Sequence, residues 1–561
     1  MKAMKRLLPM LVALALSMVA FAGVAFAADN TIKIDGLENG DNVKYYKVIE
    51  WASDGSGWQF VAPFDTALTA DEQKEIIGSV NGNTVVAGKI TDATATKMGG
   101  ATLGNALNGD GDAVTGTSWS KTDLAPGLYM ALITDAASAA GDPMYVYNPV
   151  FLAVQSDNQG TELTLPLSYN NEGTAKKSEV TVDKKAKNTA GEWVEATSEN
   201  VGDIIDFKAE VTVPAYLESW TNPTFTVTDT MTSGLTLAVK DGEGAAALTD
   251  ITVSGATTGA MTEGNQYSIT KSATGYTITF SDTYLKSRAA AELVTITYQA
   301  KITSDAATVN PETNTIKIEY SKNPTDSSDH GTKEDKTTHY TFSIDADLWG
   351  DENYESSEIV KVGVDAAGNP VTEEKTYDNG SKHSPLAGAE FKLYKADGTT
   401  LYTNDSITAN TVFVTDDNGK LMVKGADRTG IHGLEEGTYV LKETKAPTGY
   451  MLMTDSVTFV IAATYTDVAA TSTCNAYKEL ASYTVTVNNQ EVSSYTMNQG
   501  VIVKDATDSA GDVTHEIKNV QGQSLPSTGG MGTTILYIIG GALVLVAGAA
   551  LIARRVARKQ S

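Results

Sequence analysis

In 561 residues there is one cysteine, Cys474, so no intrachain disulfide can form. Exported proteins often depend on disulfides for durability, so an exported form of this chain needs another source of toughness. A Cys–Gln thioester has no supporting motif here, and a solitary cysteine ordinarily behaves as a small apolar side chain. Histidine is scarce too: His330, His339, His383, His432 and His515 show no metal-ligand spacing and no HExxH. Asn108-Gly-Asp-Gly-Asp112 resembles a calcium loop only in part. Ala113 takes the place of the turn glycine and Trp119 that of the bidentate glutamate, so a surface loop is expected. There is no phosphate loop and no hydrolase nucleophile motif, so the expectation is a protein that is not an enzyme and uses no cofactor and no metal. Basic residues are outnumbered 42 to 69, for a net charge of −27. Such a chain repels phosphate backbones, which excludes nucleic acid as a partner.

What is present begins at the two ends. Lys2, Lys5 and Arg6 precede an apolar stretch from Leu7 to Ala27, which closes on Ala25-Phe26-Ala27. This predicts a signal peptide over 1–27. Residues 525–561 form a cassette: Leu525, Pro526, Ser527, Thr528 and Gly529, an apolar run 535–552, then Arg554, Arg555, Arg558 and Lys559. The run is long enough for a transmembrane helix, and the basic tail would stay on the cytoplasmic side. Losing both ends removes seven basic residues and no acidic one, so the charge moves from −27 to −34. The cassette resembles the cell-wall sorting signal that sortases of Gram-positive bacteria read. That resemblance implies cleavage between Thr528 and Gly529, with Thr528 held as an acyl-enzyme until an amine resolves it.

The roughly 500 residues between the ends exceed one core. Alternating runs such as Phe225–Asp229, Tyr276–Phe280 and Tyr439–Glu443, separated by Gly, Asn and Asp clusters, predict antiparallel sandwiches. The best helix signal is Thr69-Ala-Asp-Glu72 with the residues after it. Polar stretches near 170–178 and 323–336 read as linkers. The expected architecture is all-β, three tandem immunoglobulin-like sandwich domains over 28–175, 178–338 and 340–523. Asp416-Asp-Asn-Gly419 reads as a hairpin turn.

Strand parity then locates buried polar groups. Lys184 shares a face with Val180 and Val182, Asp229 with Phe225 and Val227, and Asn314 with Ile316, Ile318 and Tyr320. In the last domain Lys361 shares a face with Ile359, Glu443 with Tyr439 and Leu441, and Asn519 with Ile517. Burial lowers an amine pKa and raises a carboxyl pKa. A neutral lysine is a nucleophile, and a protonated acid polarises an asparagine carboxamide; attack would expel ammonia and leave a Lys–Asn isopeptide bond. Fixed proximity would supply the rate. A buried Lys–acid salt bridge with a neighbouring asparagine is the alternative on residue chemistry alone.

Tyr439-Val-Leu-Lys-Glu-Thr-Lys-Ala-Pro-Thr-Gly-Tyr450 resembles the E-box of Gram-positive pilins. Pro385-Leu-Ala-Gly-Ala-Glu-Phe-Lys-Leu-Tyr394 resembles the early strands of a Cna-B-type domain. Phe225–Met231 with Asn310-Pro-Glu-Thr-Asn314 is similar to the isopeptide-forming middle domain of LPXTG-anchored major pilins, and Tyr145–Val154 matches their first domain more loosely. The resemblance implies Lys184–Asn314 and Lys361–Asn519 bonds with Asp229 and Glu443 as catalytic acids. It implies a major pilin on the cell wall outside the cell. A class C sortase would polymerise it with copies of itself, a housekeeping sortase would fix the fibre to peptidoglycan, and minor pilins and a host ligand would be further partners. Such pilins carry a Tyr-Pro-Lys-type motif late in the first domain. Here that stretch reads Tyr169-Asn-Asn-Glu-Gly-Thr-Ala-Lys176-Lys177, without the proline. Lys177, then Lys176, are the expected linkage lysines, exposed in a flexible linker. The rival is a monomeric LPXTG-anchored adhesin whose first domain binds a host ligand.

Overall fold

Runs that alternate apolar and polar residues have one face to bury, and in this chain nearly all of them become strands. The computed structural model describes residues 30–522 and a helix at 532–557. Not described within them are 55–56, 82–83, 137–142, 156–166, 219, 221, 239–249, 307–310, 324–327, 345–357, 378–380, 427–429, 499–500 and 505–513. The expected signal peptide and the pentapeptide 525–529 lie outside the described residues.

In the first region Asn42–Trp51 pairs antiparallel with Gly127–Thr134, with a slip between Lys47 and Ile49. Gly127–Thr134 is buried on both faces. Tyr129, Ala131 and Ile133 join a core with Ile34, Val43 and Trp119, while Leu128, Met130 and Leu132 join another with Phe64, Ile76 and Met98. The last three residues sit on the helices Phe64–Ala67, Ala70–Ile77 and Asp92–Gly99. Helices therefore cover one face of this sheet. The Ala70–Ile77 helix starts where the sequence predicts: Thr69 Oγ accepts from Glu72 N, and the Glu72 carboxylate accepts from Thr69 N at 2.8 Å.

The middle region is a two-sheet sandwich. One sheet runs Trp193–Val194, Val182–Lys187, Ile204–Val213, Glu292–Ile302, Thr252–Gly255, Gly259–Ala260. The other runs Ala196–Ser198, His330–Tyr340, Glu312–Ser321, Phe225–Met231, Gly275–Phe280, Tyr267–Ser272. A continuous apolar core lies between them. The polar stretch 323–336 differs from the expected linker, because His330–Tyr340 pairs along the whole of Glu312–Ser321. The alternation is there, but the buried residues are Lys333, Asp335, Thr337 and His339, which hide it from an apolar pattern.

The last region has an eight-stranded sheet in which Glu390–Lys395, Gly437–Lys445, Val457–Val468 and Tyr477–Val487 are successive neighbours. A parallel pair, Ile359–Val364 with His515–Val520, contributes to the same core through Ile359 and Ile517. Asp416–Gly419 forms the expected turn between Phe413–Thr415 and Leu421–Val423, with Gly419 at φ +73°.

The regions are joined by hydrogen bonds as well as by the chain. Met144–Tyr147 of the first region pairs with Lys177–Val180, and Met144 and Val146 enter the middle core. A loop of the last region docks on the middle one: Glu334 N donates to Thr473 O at 2.6 Å, and Asn475 Nδ2 to Val182 O at 2.6 Å. Half-buried Cys474 sits in this loop, bridged to Glu334.

Residues 532–557 form one helix with Ile538, Leu543, Val546 and Ile552 exposed. Among the described residues no helix is long and apolar enough to cross a membrane. The side chains of 535–537 lie outside the described residues, so the expected membrane run 535–552 is described only in part.

Candidate functional site

Lys184 belongs to Val182–Lys187, whose inward positions are Val182, Lys184 and Ala186. Asp229 and Asn314 lie on neighbouring strands of the opposite sheet. Asp229 is level with Ile316 and Met231 with Asn314, so the two polar groups are diagonal neighbours on the inner face. All three are buried, at 0%, 2% and 0% exposure. The sandwich thus brings together groups that are 45 and 85 residues apart along the chain (184 to 229 and 229 to 314).

Lys184 Nζ donates to Asp229 Oδ2 and to the Tyr298 hydroxyl. Tyr298 donates to Asp229 Oδ2 at 2.6 Å and accepts from Asn314 Nδ2 at 3.0 Å. Among the described residues, Asp229 Oδ1 and Asn314 Oδ1 have no hydrogen-bond partner. Burial pulls the Lys184 amine below its ordinary range against the attraction of Asp229. It lifts the Asp229 carboxyl against the attraction of Lys184, and the Tyr298 phenol well above its usual value. Both partners of the ion pair are therefore pushed towards neutrality, the state in which the amine carries a free lone pair.

The second cluster uses different strands. Lys361 and Asn519 sit on the parallel pair, level with Ile517 and Gly363 respectively, and Glu443 comes from Gly437–Lys445. Lys361 Nζ lies 3.2 Å from Glu443 Oε1. Asn519 Nδ2 donates to Glu443 Oε2 at 2.9 Å and to Met451 O at 2.6 Å, while Met453 N donates to Glu443 Oε2 at 2.6 Å. Lys361, Glu443 and Asn519 are buried, and Asn519 Oδ1 has no partner among the described residues. Gly363 lies close beside them: a Cβ there would come within 2.8 Å of the Tyr450 hydroxyl, so a larger residue would make that ring shift.

Burial pushes the Lys361 amine down to about 8, with Glu443 opposing. Above pH 8 the Lys361 amine has given up the proton that a leaving ammonia needs, so any Lys361–Asn519 bond formation in freshly synthesised protein is expected to slow about tenfold per pH unit. In the unbonded domain the sign is opposite. The unfolded lysine, at its ordinary 10.5, binds a proton that the folded one releases, so stability rises with pH between about 8 and 10.5. Mass spectrometry of pH-jumped samples checks the first trend and denaturant titration of a Lys–Asn-unbonded variant the second.

Parity reasoning located these six residues but missed Tyr298, although Val294, Ile296 and Tyr298 alternate inward on one strand. Its hydroxyl holds the Asn314 carboxamide beside Lys184 and Asp229, so removing it loosens the reacting geometry, and misplaced reacting groups lose rate steeply. Tyr298→Phe is expected to slow formation of the middle bond about tenfold or more and leave the C-terminal bond unchanged, as read by time-resolved peptide mass mapping. Also unforeseen are Asp335, which accepts from Lys184 N at 2.8 Å, and the carbonyl of Met451. None of the described lysines of 30–175 is buried, so the first region has no third cluster of this kind among its described residues.

The two linker lysines differ from each other. Lys176 is exposed, as expected. Lys177 is not free: it lies on the Lys177–Val180 strand, pairs with Glu38, and holds its Nζ 4.1 Å from the centre of the Tyr145 ring. The cause is the pairing of its strand with Met144–Tyr147, which turns Lys177 onto the first region.

Residues 370–475 match the family model described as SpaA, a prealbumin-like fold domain. Over 579 aligned residues the chain is 26% identical to the trypsin-resistant surface T6 protein of Streptococcus pyogenes serotype M6, covering 93% of this chain and 94% of that one. Among solved structures, the T6 backbone pilin of serotype M6 Streptococcus pyogenes, described as a modular three-domain protein, aligns with a TM-score of 0.52 and 18% identity, over 89% of this chain and all of that one. The full-length major pilin SpaD of Corynebacterium diphtheriae aligns with a TM-score of 0.44 and 16% identity, over 90% of this chain and all of that one. Residues 370–475 of this chain therefore match a prealbumin-like domain, and the chain is similar over most of its length to the T6 surface protein and in fold to the T6 backbone pilin.

Proposed function

We propose that this chain is the shaft subunit of a covalent, cell-wall-anchored adhesion fibre, hardened by two self-made Lys–Asn bonds. The observation that carries the reading is the pair of buried Lys–acid–Asn clusters in a chain that parallels a backbone pilin over most of its length. In each cluster the lysine nitrogen attacks the asparagine Cγ, the bond from Cγ to the amide nitrogen breaks, and ammonia leaves. The acid carries the proton from amine to leaving group. Asp229 serves Lys184 and Asn314; Glu443 serves Lys361 and Asn519. In this reading the domains are 28–175, 178–338 and 340–523. The signal peptide 1–27 directs export, and the run 535–552 holds the end in the membrane until a class C sortase cuts after Thr528. A lysine beside the first domain boundary receives that threonine. A housekeeping sortase then joins the fibre to peptidoglycan, and minor pilins and a host ligand complete the partners.

The test is an immunoblot of wall extracts boiled in SDS, comparing wild type with Thr528→Ala. A high-mass ladder in wild type that collapses to one band in the variant is expected. A single wall-linked band in wild type would hand the chain to the monomeric adhesin reading.

A further inference from the structure

The middle and last regions are held together along the edge of a cleft. Ser198 Oγ accepts from Glu436 N at 2.9 Å, and Asn200 Oδ1 accepts from Glu435 N at 3.0 Å and from the Tyr402 hydroxyl. Beside these bonds lies a cavity of about 570 Å³ whose lining includes Glu199, Asp203, Glu435 and Glu436. Glu199 is only 5% exposed. Its Oε1 lies 3.1 Å from His339 Nδ1, and among the described residues its Oε2 has no hydrogen-bond partner. A buried carboxylate oxygen without a donor is costly, and a ligand that donates there removes the cost. The other three carboxylates have no ion pair among the described residues. Burial lifts the Glu435 carboxyl against a hydrogen bond from Asn200, and the charges of Asp203, Glu199 and Glu436 lift it further. Of the lysines in the lining, Lys187 faces Asp206 at 3.6 Å and Lys395 is exposed. The cleft therefore keeps an excess of negative charge.

We infer that this cleft receives the guanidinium of an arginine side chain on a partner polypeptide. The excess charge calls for a cation. Among the described residues no group of His, Cys, Asp and Glu could hold a metal ion, which leaves a larger cation that reaches separated carboxylates. A guanidinium presents five donors in a planar fork and serves several carboxylates at once. The shape fits an extended partner. A second cavity, of about 600 Å³, shares Thr197, Ser198, Glu435 and Glu436 with the first and continues to Trp193, which is 40% exposed. The inference is independent of the fibre reading, since it needs only the folded chain.

The test is fluorescence anisotropy of a labelled Gly-Ser-Arg-Ser-Gly peptide with the purified full chain. Salt at about 0.15 M screens attraction between exposed charges beyond about 8 Å, which removes general affinity for an acidic protein. Glu199→Gln/Glu435→Gln is expected to weaken binding about tenfold or more. Glu436→Gln, at an exposed position that leaves the fold intact, should weaken it about threefold. Glu263→Gln/Asp110→Asn, on exposed residues elsewhere, should leave it within about twofold. No binding by wild type, unchanged binding in both cleft variants, or equal weakening in the control pair overturns the inference. Equal binding of the lysine analogue overturns the guanidinium, and equal binding of free arginine amide overturns the polypeptide in favour of a small guanidinium compound. Displacement of the peptide by calcium, but not by sodium at equal ionic strength, overturns it in favour of a metal ion.

Discussion

Asp229→Ala is expected to leave Lys184 and Asn314 unjoined and to lower the melting temperature of the middle domain by about 20 °C. The wild-type ectodomain should weigh two ammonia molecules less than its sequence, about 17 Da for each bond, and the variant only one less after correction for the substitution. A Lys184–Asn314 bond would close a loop of 130 residues (184 to 314), which the chain-entropy argument values at about 5 kcal/mol. The substitution also strands Lys184 in an apolar interior without its counter-charge, and a broken buried pair costs about 3–5 kcal/mol. At about 2–4 °C per kcal/mol for a domain of this size, the two effects together give the stated shift. Lys184→Met/Asp229→Ala separates them, since it removes the bond and leaves neither charge buried alone, and should lose about half as much. A mass deficit of two ammonias in Asp229→Ala would sink the catalytic role of that residue.

Lys176→Ala is expected to abolish the SDS-resistant ladder, whereas Lys177→Ala should keep it. An acyl-enzyme is resolved by a neutral amine that can reach a thioester. Lys176 is exposed and lies outside the strand that carries Lys177, so its amine can reach. Lys177 must first leave Glu38 and the face of Tyr145, a ring–cation contact that favours the charged amine. Lys177 instead ties the first region to the strand that opens the middle one, so its loss should loosen that junction and expose the 143–149 segment to protease. The reverse pattern, with the ladder lost only in Lys177→Ala, would mean that the sortase pries this lysine out and that Glu38 accepts its proton.

Parity along single strands carried much of the site. Lys184, Asp229, Asn314, Lys361, Glu443 and Asn519 all point where an alternating pattern places them, because a strand has two faces and one apolar neighbour on either side decides which is buried. The same argument failed at 330–336. There the inward residues are Lys333 and Asp335, and a polar interior face looks like a linker to any rule that counts apolar residues. The helices over the first region were legible only at Thr69, where a capping box announces the start.

The sequence by itself determined the periodicities and the buried polar positions, since each depends on residues within a few positions of one another. Only the tertiary structure decided which strands oppose each other across a core. It placed Tyr298 between Lys184, Asp229 and Asn314, drew Met451 O to Asn519, and separated exposed Lys176 from captive Lys177. Those partners lie tens to hundreds of residues apart, and contacts at that separation follow from sheet pairing and packing, which no local pattern records.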